Sequence, residues 1–234
     1  MRNTLLLIFL ISMTLSYAQS AKTYFKKGNE DLDIDNFKGA IVNFNKAIEL
    51  DSLYTHAYFN RGFAKLWAED YKGSWADNSK VIELDSNYLD AFLNRAEASI
   101  GLGEFVNALS DLNFVLLKGK IDASIYDAIG RTKSKLNDFN GSVEAMNKAI
   151  ELNPDDATLK HNRAIIKFDF KDYSGAVQDF NIVLKSLPNE ESAYYYRGLS
   201  KIKLNDIDSG CEDLKNAEKL GLKNASEMIQ KYCH

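Results

Sequence analysis

Arginine and aspartate recur in step along this chain. Arg61, Arg95, Arg163 and Arg197 are followed, sixteen residues later, by Asp77, Asp111, Asp179 and Asp213. A guanidinium can fork onto a carboxylate through two parallel N–H···O bonds, so this spacing suits a structural bridge. The competing use of the arginines is recognition of an acidic ligand. The same two positions elsewhere hold Lys27 with Asn43, and Ile129 with Ala145. Arginine and aspartate are thus lost together, which favours pairing with each other. An exposed pair would contribute roughly 0–1 kcal/mol, leaving register as its main effect.

Other reactive side chains are sparse. His56, His161 and His234 lie near no cysteine or carboxylate pattern with metal-ligand spacing. No phosphate loop, nucleophile elbow or Cys–His arrangement occurs, and paired carboxylates in a chain of net charge −4 read as solvated faces. The sequence therefore predicts no enzyme, no cofactor and no metal. Amides are a better lead. Asn60, Asn94 and Asn162 recur in register. A primary amide both donates and accepts, so it can bond an extended peptide backbone without reading its sequence. The alternative is that they are solvated or bond a neighbouring helix. Phe59, Phe63 and Trp67 fall at i, i+4 and i+8 on one helix face. They either pack between helices or form an exposed stripe that grips a partner.

These residues are positioned by a period of 34, repeated six times without insertion or deletion. Gly28, Gly62, Ala96, Gly130, Ala164 and Gly198 keep it; so do Ala40, Ser74, Ala108, Ser142, Ala176 and Gly210. A third series, Phe37, Tyr71, Phe105, Phe139, Tyr173 and Ile207, opens the second helix of each copy. Such a period implies a stacked solenoid. Within residues 21–54, Tyr24, Phe25, Gly28 and Leu32 have helical spacing, as do Ile41, Phe44, Ala47 and Ile48. The polar junction 33–36 separates them and ends in a capping residue, Asn36. Each copy is therefore a helix A, a tight turn and a helix B. The Gly/Ala and Ala/Ser/Gly series mark where A and B must approach closely, with Tyr24, Tyr58, Phe92, Tyr126 and Tyr194 filling the space beside them. Leucine in place of Gly130 should overpack the pair, at a cost on the order of 1–3 kcal/mol or more.

This pattern resembles the tetratricopeptide repeat, a helix–turn–helix unit of about 34 residues. The resemblance covers residues 21–224 as repeats 21–54, 55–88, 89–122, 123–156, 157–190 and 191–224. The late proline of that family stands only at Pro154 and Pro188. The resemblance implies an all-α superhelix (solenoid) of six repeats, with helices A lining a concave groove. The groove-facing positions it implies include Asn29, Phe59, Asn60, Phe63, Trp67, Asn94, Glu97, Arg131, Lys135, His161, Asn162, Phe168, Tyr195 and Tyr196. One subgroup of the family clamps a C-terminal carboxylate with lysines, asparagines and an arginine. Here Asn29 and Asn60 are offered, but the basic positions hold Phe25, Asp90 and Asn94, so that clamp is not supported.

The ends complete the expectation. Residues 1–18 read as a secretory signal peptide cut after Ala18: a basic start, an apolar core over 5–15, then Ser16-Tyr17-Ala18. An apolar run of about ten residues is too short for a bilayer core that needs about 20. Residues 21–234 read as one domain, with 225–234 as a capping helix over the last apolar face. Antiparallel return of that cap would bring Cys233 near Cys211, so a disulfide is expected; two free thiols are the alternative. The segment from Gly210 through Cys233 resembles the ending of many exported bacterial repeat proteins. A mildly acidic chain without basic clusters excludes nucleic acid and anionic membrane as natural partners. The expected function is non-catalytic binding of a protein or peptide in the groove, in the periplasm or outside the cell. The second reading is an assembly subunit of an envelope complex using the convex face or the ends, with self-association.

Overall fold

The computed structural model describes residues 19–233; the expected signal peptide lies outside the described residues. These residues divide into two compact units, one ending at Gly119 and the other starting at Lys120. Among the described residues there is helix and turn but no strand. The first unit holds α1 (residues 19–32), α2 (Phe37–Leu50), α3 (Thr55–Trp67), α4 (Tyr71–Leu84), α5 (Leu89–Gly101) and α6 (Phe105–Leu117). The second holds α7 (Ala123–Lys135), α8 (Phe139–Leu152), α9 (Ala157–Asp169), α10 (Tyr173–Ser186), α11 (Glu191–Lys203), α12 (Ile207–Lys219) and α13 (Asn224–Tyr232). Within each unit the helix pairs pack in chain order, as the repeats predict.

Every turn from A to B is built alike. Asp35, Glu69, Gly103, Asn137, Lys171 and Asn205 take positive φ, between 56° and 75°. Only Gly103 does so without the steric penalty of a side chain. The next residue's N–H reaches back to the carbonyl five residues earlier, as from Asp70 to Lys65, at 2.8–3.0 Å in all six turns. That bond satisfies a carbonyl which the end of helix A would leave open. The same residue then caps helix B: Asn36, Asp70, Asp138 and Asp172 accept from the N–H of Gly39, Gly73, Gly141 and Gly175 at 2.9–3.1 Å. Asp206 does so more weakly, onto Ser209 at 3.4 Å. Glu104, one methylene longer, makes no such bond.

The two series of small residues are buried in every repeat. A further series that the sequence reading did not isolate fills helix B beside them: Phe44, Asn78, Leu112, Met146, Phe180 and Leu214, all buried. Asn78 is its one polar member and bonds back to the Ser74 carbonyl at 2.9 Å.

The Arg–Asp pairs form as the spacing predicts. Arg61 donates to Asp77 through Nε at 2.8 Å and Nη2 at 2.5 Å, and Arg95, Arg163 and Arg197 repeat this fork on Asp111, Asp179 and Asp213. The aspartates are buried, so these are not exposed surface pairs. Each arginine also reaches the preceding repeat, donating to Asn45, Ser79, Asn147 and Asn181 in turn at 2.7–3.3 Å. Tyr58, Phe92 and Tyr194 lie under their guanidinium groups at 5.3–5.4 Å. Lys65, Lys167 and Lys201, one helical turn on, supply a second cation to the same aspartate at 2.7–2.8 Å. The device thus locks A to B and one repeat to the one before. The fourth repeat, which opens the second unit, replaces it with buried Ile129 and Ala145.

At the C-terminal end a disulfide joins Cys211, in α12, to Cys233, just beyond α13, with Cα atoms 5.7 Å apart. In the first turn of α13 Ala225 is buried, while Met228, Ile229 and Tyr232 further along it are half-buried. Closing a loop of 22 residues restrains the unfolded chain, by about 3 kcal/mol in the chain-entropy account.

Candidate functional site

In the first unit the face of helices A carries a cavity of about 440 Å³ between α3 and α5, closed below by the turn into α4. Phe63, Leu66 and Trp67 of α3, Tyr71 of α4, and Leu93, Asn94 and Glu97 of α5 line it, with Glu69 at the turn. Helical spacing puts Phe63 and Trp67 on one face, ring centroids 6.1 Å apart. Trp67 is 62% exposed, with Phe37 stacked on it at 6.1 Å. The opening residue of α2 therefore braces the ring from behind. Phe59, the third member of the predicted stripe, is instead half-buried against Tyr88 at 4.9 Å. The stripe is split: its first ring packs, its last is presented to solvent.

The three asparagines also differ. Asn60 Nδ2 donates to Asn29 Oδ1 at 2.7 Å, tying α3 to α1. Asn162 Nδ2 donates to Asp127 Oδ1 at 2.9 Å, tying α9 to α7. Both take the neighbouring-helix role. Asn94 does not: its Nδ2 is buried and has no hydrogen-bond partner among the described residues. An unsatisfied buried donor costs about 1–3 kcal/mol, recovered when an acceptor arrives.

In the second unit the helix-A face is more polar. Asp127 is held by Asn162 and, at 2.9 Å, by Arg131 Nε. It lines a cavity of about 550 Å³ with Asp122, Asp156, Ile121, Leu152 and Asn162. Arg131 and Lys135 are exposed here, as Glu97 is in the first unit. Phe168 and Tyr196 meet edge to face at 5.2 Å, and Tyr195 meets Tyr196 at the same distance. Burial, aided by Tyr196 and Glu227, holds the Tyr195 hydroxyl above its ordinary pKa.

His161 Nε2 lies 2.6 Å from Ser192 Oγ, and Ser192 donates to Glu190 Oε1 at 2.7 Å. The single hydroxyl proton goes to the carboxylate, so Nε2 must carry a proton and donate. A nucleophilic triad needs the imidazole between hydroxyl and carboxylate; here the hydroxyl is between, and its oxygen is not activated. Among the described residues no group of three His, Cys, Asp or Glu side chains could hold a metal ion. Sequence reasoning missed Asp127 and Ser192 as partners, although both stand at face positions of their repeats.

Burial pushes the His161 imidazole below its ordinary value, with Glu190 opposing and the weaker. A base whose folded pKa is depressed binds its proton more readily when unfolded. Its stabilising contribution is therefore complete above the unfolded value, about 6.5, and is lost as pH falls through the folded one. Thermal melts should show stability falling from pH 7 towards pH 5, with His161→Gln shallower than the parent. Equal slopes would remove His161 as the cause.

The family description "Tetratricopeptide repeat" matches residues 123–156, the fourth repeat. No curated protein matches the chain. Several solved structures share its fold. YrrB, described as a TPR protein with an unusual peptide-binding site, is 19% identical with TM-score 0.64, covering 80% of this chain and 97% of its own. A tetratricopeptide repeat protein from Parabacteroides merdae is 16% identical with TM-score 0.66, covering 92% of this chain and 100% of its own. The pilF protein of Pseudomonas aeruginosa is 14% identical with TM-score 0.72, covering 92% and 99%. The fourth repeat thus matches the tetratricopeptide repeat in sequence, and the fold of the chain is that of solved tetratricopeptide-repeat proteins.

Proposed function

We propose that this protein is an exported, non-catalytic scaffold that binds an extended segment of a partner protein on the helix-A face of its first unit. The observation that carries the reading is the buried Nδ2 of Asn94, without a hydrogen-bond partner among the described residues, at a cavity walled by Phe63, Leu66, Leu93 and the exposed Trp67. That combination suits a peptide carbonyl beside an apolar side chain: the amide satisfies the carbonyl, and the rings remove the side chain from water. Glu69 and Glu97 line the cavity with no lysine or arginine, which favours neutral or basic segments over acidic ones. The peptide-binding site named for YrrB lends support at the level of the shared fold. Export is supported by the pattern of residues 1–18 and by the disulfide, which persists in oxidising compartments.

Affinity capture from an envelope extract tests this. The parent protein and a Phe63→Ala/Trp67→Ala variant are compared, and captured segments are remade as synthetic peptides. The variant should lose the proteins that the parent recovers. Asn94→Ala should weaken the peptides by about tenfold, as expected for one desolvated hydrogen bond. Equal recovery by parent and variant removes the groove reading.

A further inference from the structure

Two carboxylates at the cavity of the first unit have no counter-charge. Glu69 and Glu97 both line it and both are exposed, and neither has a hydrogen-bond or ion-pair partner among the described residues. At the position of Glu97 the other copies hold Asn29, Phe63, Arg131, Ile165 and Leu199, so no packing need shared by the repeats accounts for an acid there. In repeat four the charge at that position is met from its own helix, where Arg131 bonds Asp127 one turn earlier at 2.9 Å. Glu97 has Leu93 in that place. Trp67 is likewise alone in its series, since the other copies carry Asp33, Gly101, Lys135, Asp169 and Lys203. The ring beside it is held by shape: a Cβ at Gly101 would meet the Tyr71 ring at 2.5 Å, so the absence of a side chain there lets Tyr71 lie against α5. The cavity thus joins exposed indole, fixed rings and two unpaired negative charges.

We infer that this cavity takes a basic side chain, arginine or lysine, of the partner segment. The inference rests on the segment-binding reading above and names the residue that enters. An apolar side chain would cover the rings but draw Glu69 and Glu97 out of water with nothing in exchange. An acidic side chain would be repelled by both. A basic side chain meets both demands. Its apolar stem lies along Phe63 and Leu66 while its charged head stays at the rim. The cation sits over the exposed face of Trp67, the ring type that attracts it best. Its N–H groups donate to Glu69 and Glu97 in charge-assisted hydrogen bonds. Asn94 Nδ2 donates to the main-chain carbonyl of the same segment, which fixes the segment while the side chain is held.

Titration of the chain from residue 19 onward with blocked alanyl tripeptides tests this. Their central residue is arginine, lysine, or the uncharged counterparts citrulline and norleucine. The readout is the indole N–H signal of Trp67, assigned by Trp75→Phe because the sequence has two tryptophans. Each charged peptide should move that signal saturably and bind about tenfold tighter than its uncharged counterpart. Glu69→Gln/Glu97→Gln should remove that advantage and leave the citrulline and norleucine peptides unchanged. High salt should narrow the gap in the parent in the same way. Uncharged peptides that bind at Trp67 as tightly as their charged counterparts overturn the inference and leave the segment-binding reading standing. So does a charge advantage that survives the double glutamine substitution. A Trp67 signal that none of the four peptides moves removes the segment-binding reading and this inference with it.

Discussion

Replacing Asp77 by alanine is expected to destabilise the first unit by about 3–5 kcal/mol, the range for breaking a buried pair from one side. The Asp77 side chain is 4% exposed and holds Arg61 through a two-bond fork and Lys65 at 2.8 Å. Alanine leaves both cations in place with no counter-charge. Arg61 keeps only Asn45, at 2.7 Å, and the Tyr58 ring beneath it. The chain itself contains the compensated alternative. Repeat four carries Ile129 and Ala145 at these positions, both buried, and its Lys133 turns to Asp138 at 3.7 Å. Arg61→Ile/Asp77→Ala copies that arrangement, leaving Lys65 free to turn towards Asp70 in the same way. It should be less damaging than Asp77→Ala alone, because apolar replacement of both members removes the buried charge instead of stranding it. The cycle should be non-additive by about 1–3 kcal/mol. Trp67 and Trp75, the two tryptophans of the sequence, both lie in the first unit, so tryptophan fluorescence in a urea titration reads this unit directly. A single variant within about 1 kcal/mol of the parent would mean the fork behaves as an exposed pair.

The Arg–Asp pairing was readable before any coordinates because both members vanish together at Ile129 and Ala145. Its burial was not. A sequence gives the spacing of side chains but not the depth at which they meet, and depth converts a contribution of about 1 kcal/mol into several. Lys65 and the ring of Tyr58 were equally hidden, since neither stands alone as a signal until the fork is in place. The first turn was legible as a polar segment ending in the capping residue Asn36. The left-handed residue of the turns was not, because Asp35, Glu69 and Lys171 carry it without glycine. At the candidate site, the register of Asn60, Asn94 and Asn162 made them equivalent in sequence. The structure separates them by what lies opposite: Asn29 and Asp127 accept from two, and no described residue accepts from Nδ2 of the third. Equivalence in a repeat is a statement about backbone position, whereas binding depends on neighbours one repeat away. Val106 and Leu117 show the converse. Their difference from the charged and polar residues of the other copies is plain in the sequence, but that they are exposed and not part of a repacked core is visible only in the structure.

Gly130 and Gly198, both at a helix A–B crossing, are expected to respond differently to the same substitution. A Cβ at Gly198 would lie 2.8 Å from the carbonyl oxygen of Gly210 and 3.2 Å from Asp213 Cβ. Backbone cannot swing aside, so α11 and α12 must separate, and that crossing packs Leu214 and Ala217, both fully buried. A Cβ at Gly130 would lie 2.6 Å from Met146 Sδ and 2.8 Å from its Cγ, with backbone no nearer than 3.2 Å. Methionine has rotatable bonds to spare and can move away. Alanine also gains about 1 kcal/mol over glycine in a helix. Gly130→Ala should therefore be neutral or slightly stabilising, in keeping with Ala96 and Ala164 at the same position. Gly198→Ala should cost about 1–3 kcal/mol despite that gain. Leucine sharpens the contrast: at Gly198 it should cost at least about 3 kcal/mol, and at Gly130 less, because part of the Met146 volume can be vacated. Far-ultraviolet circular dichroism melts of the four variants measure the order. The packing account fails if Gly198→Ala melts at or above the parent, since a rigid carbonyl at 2.8 Å leaves a methyl group no room.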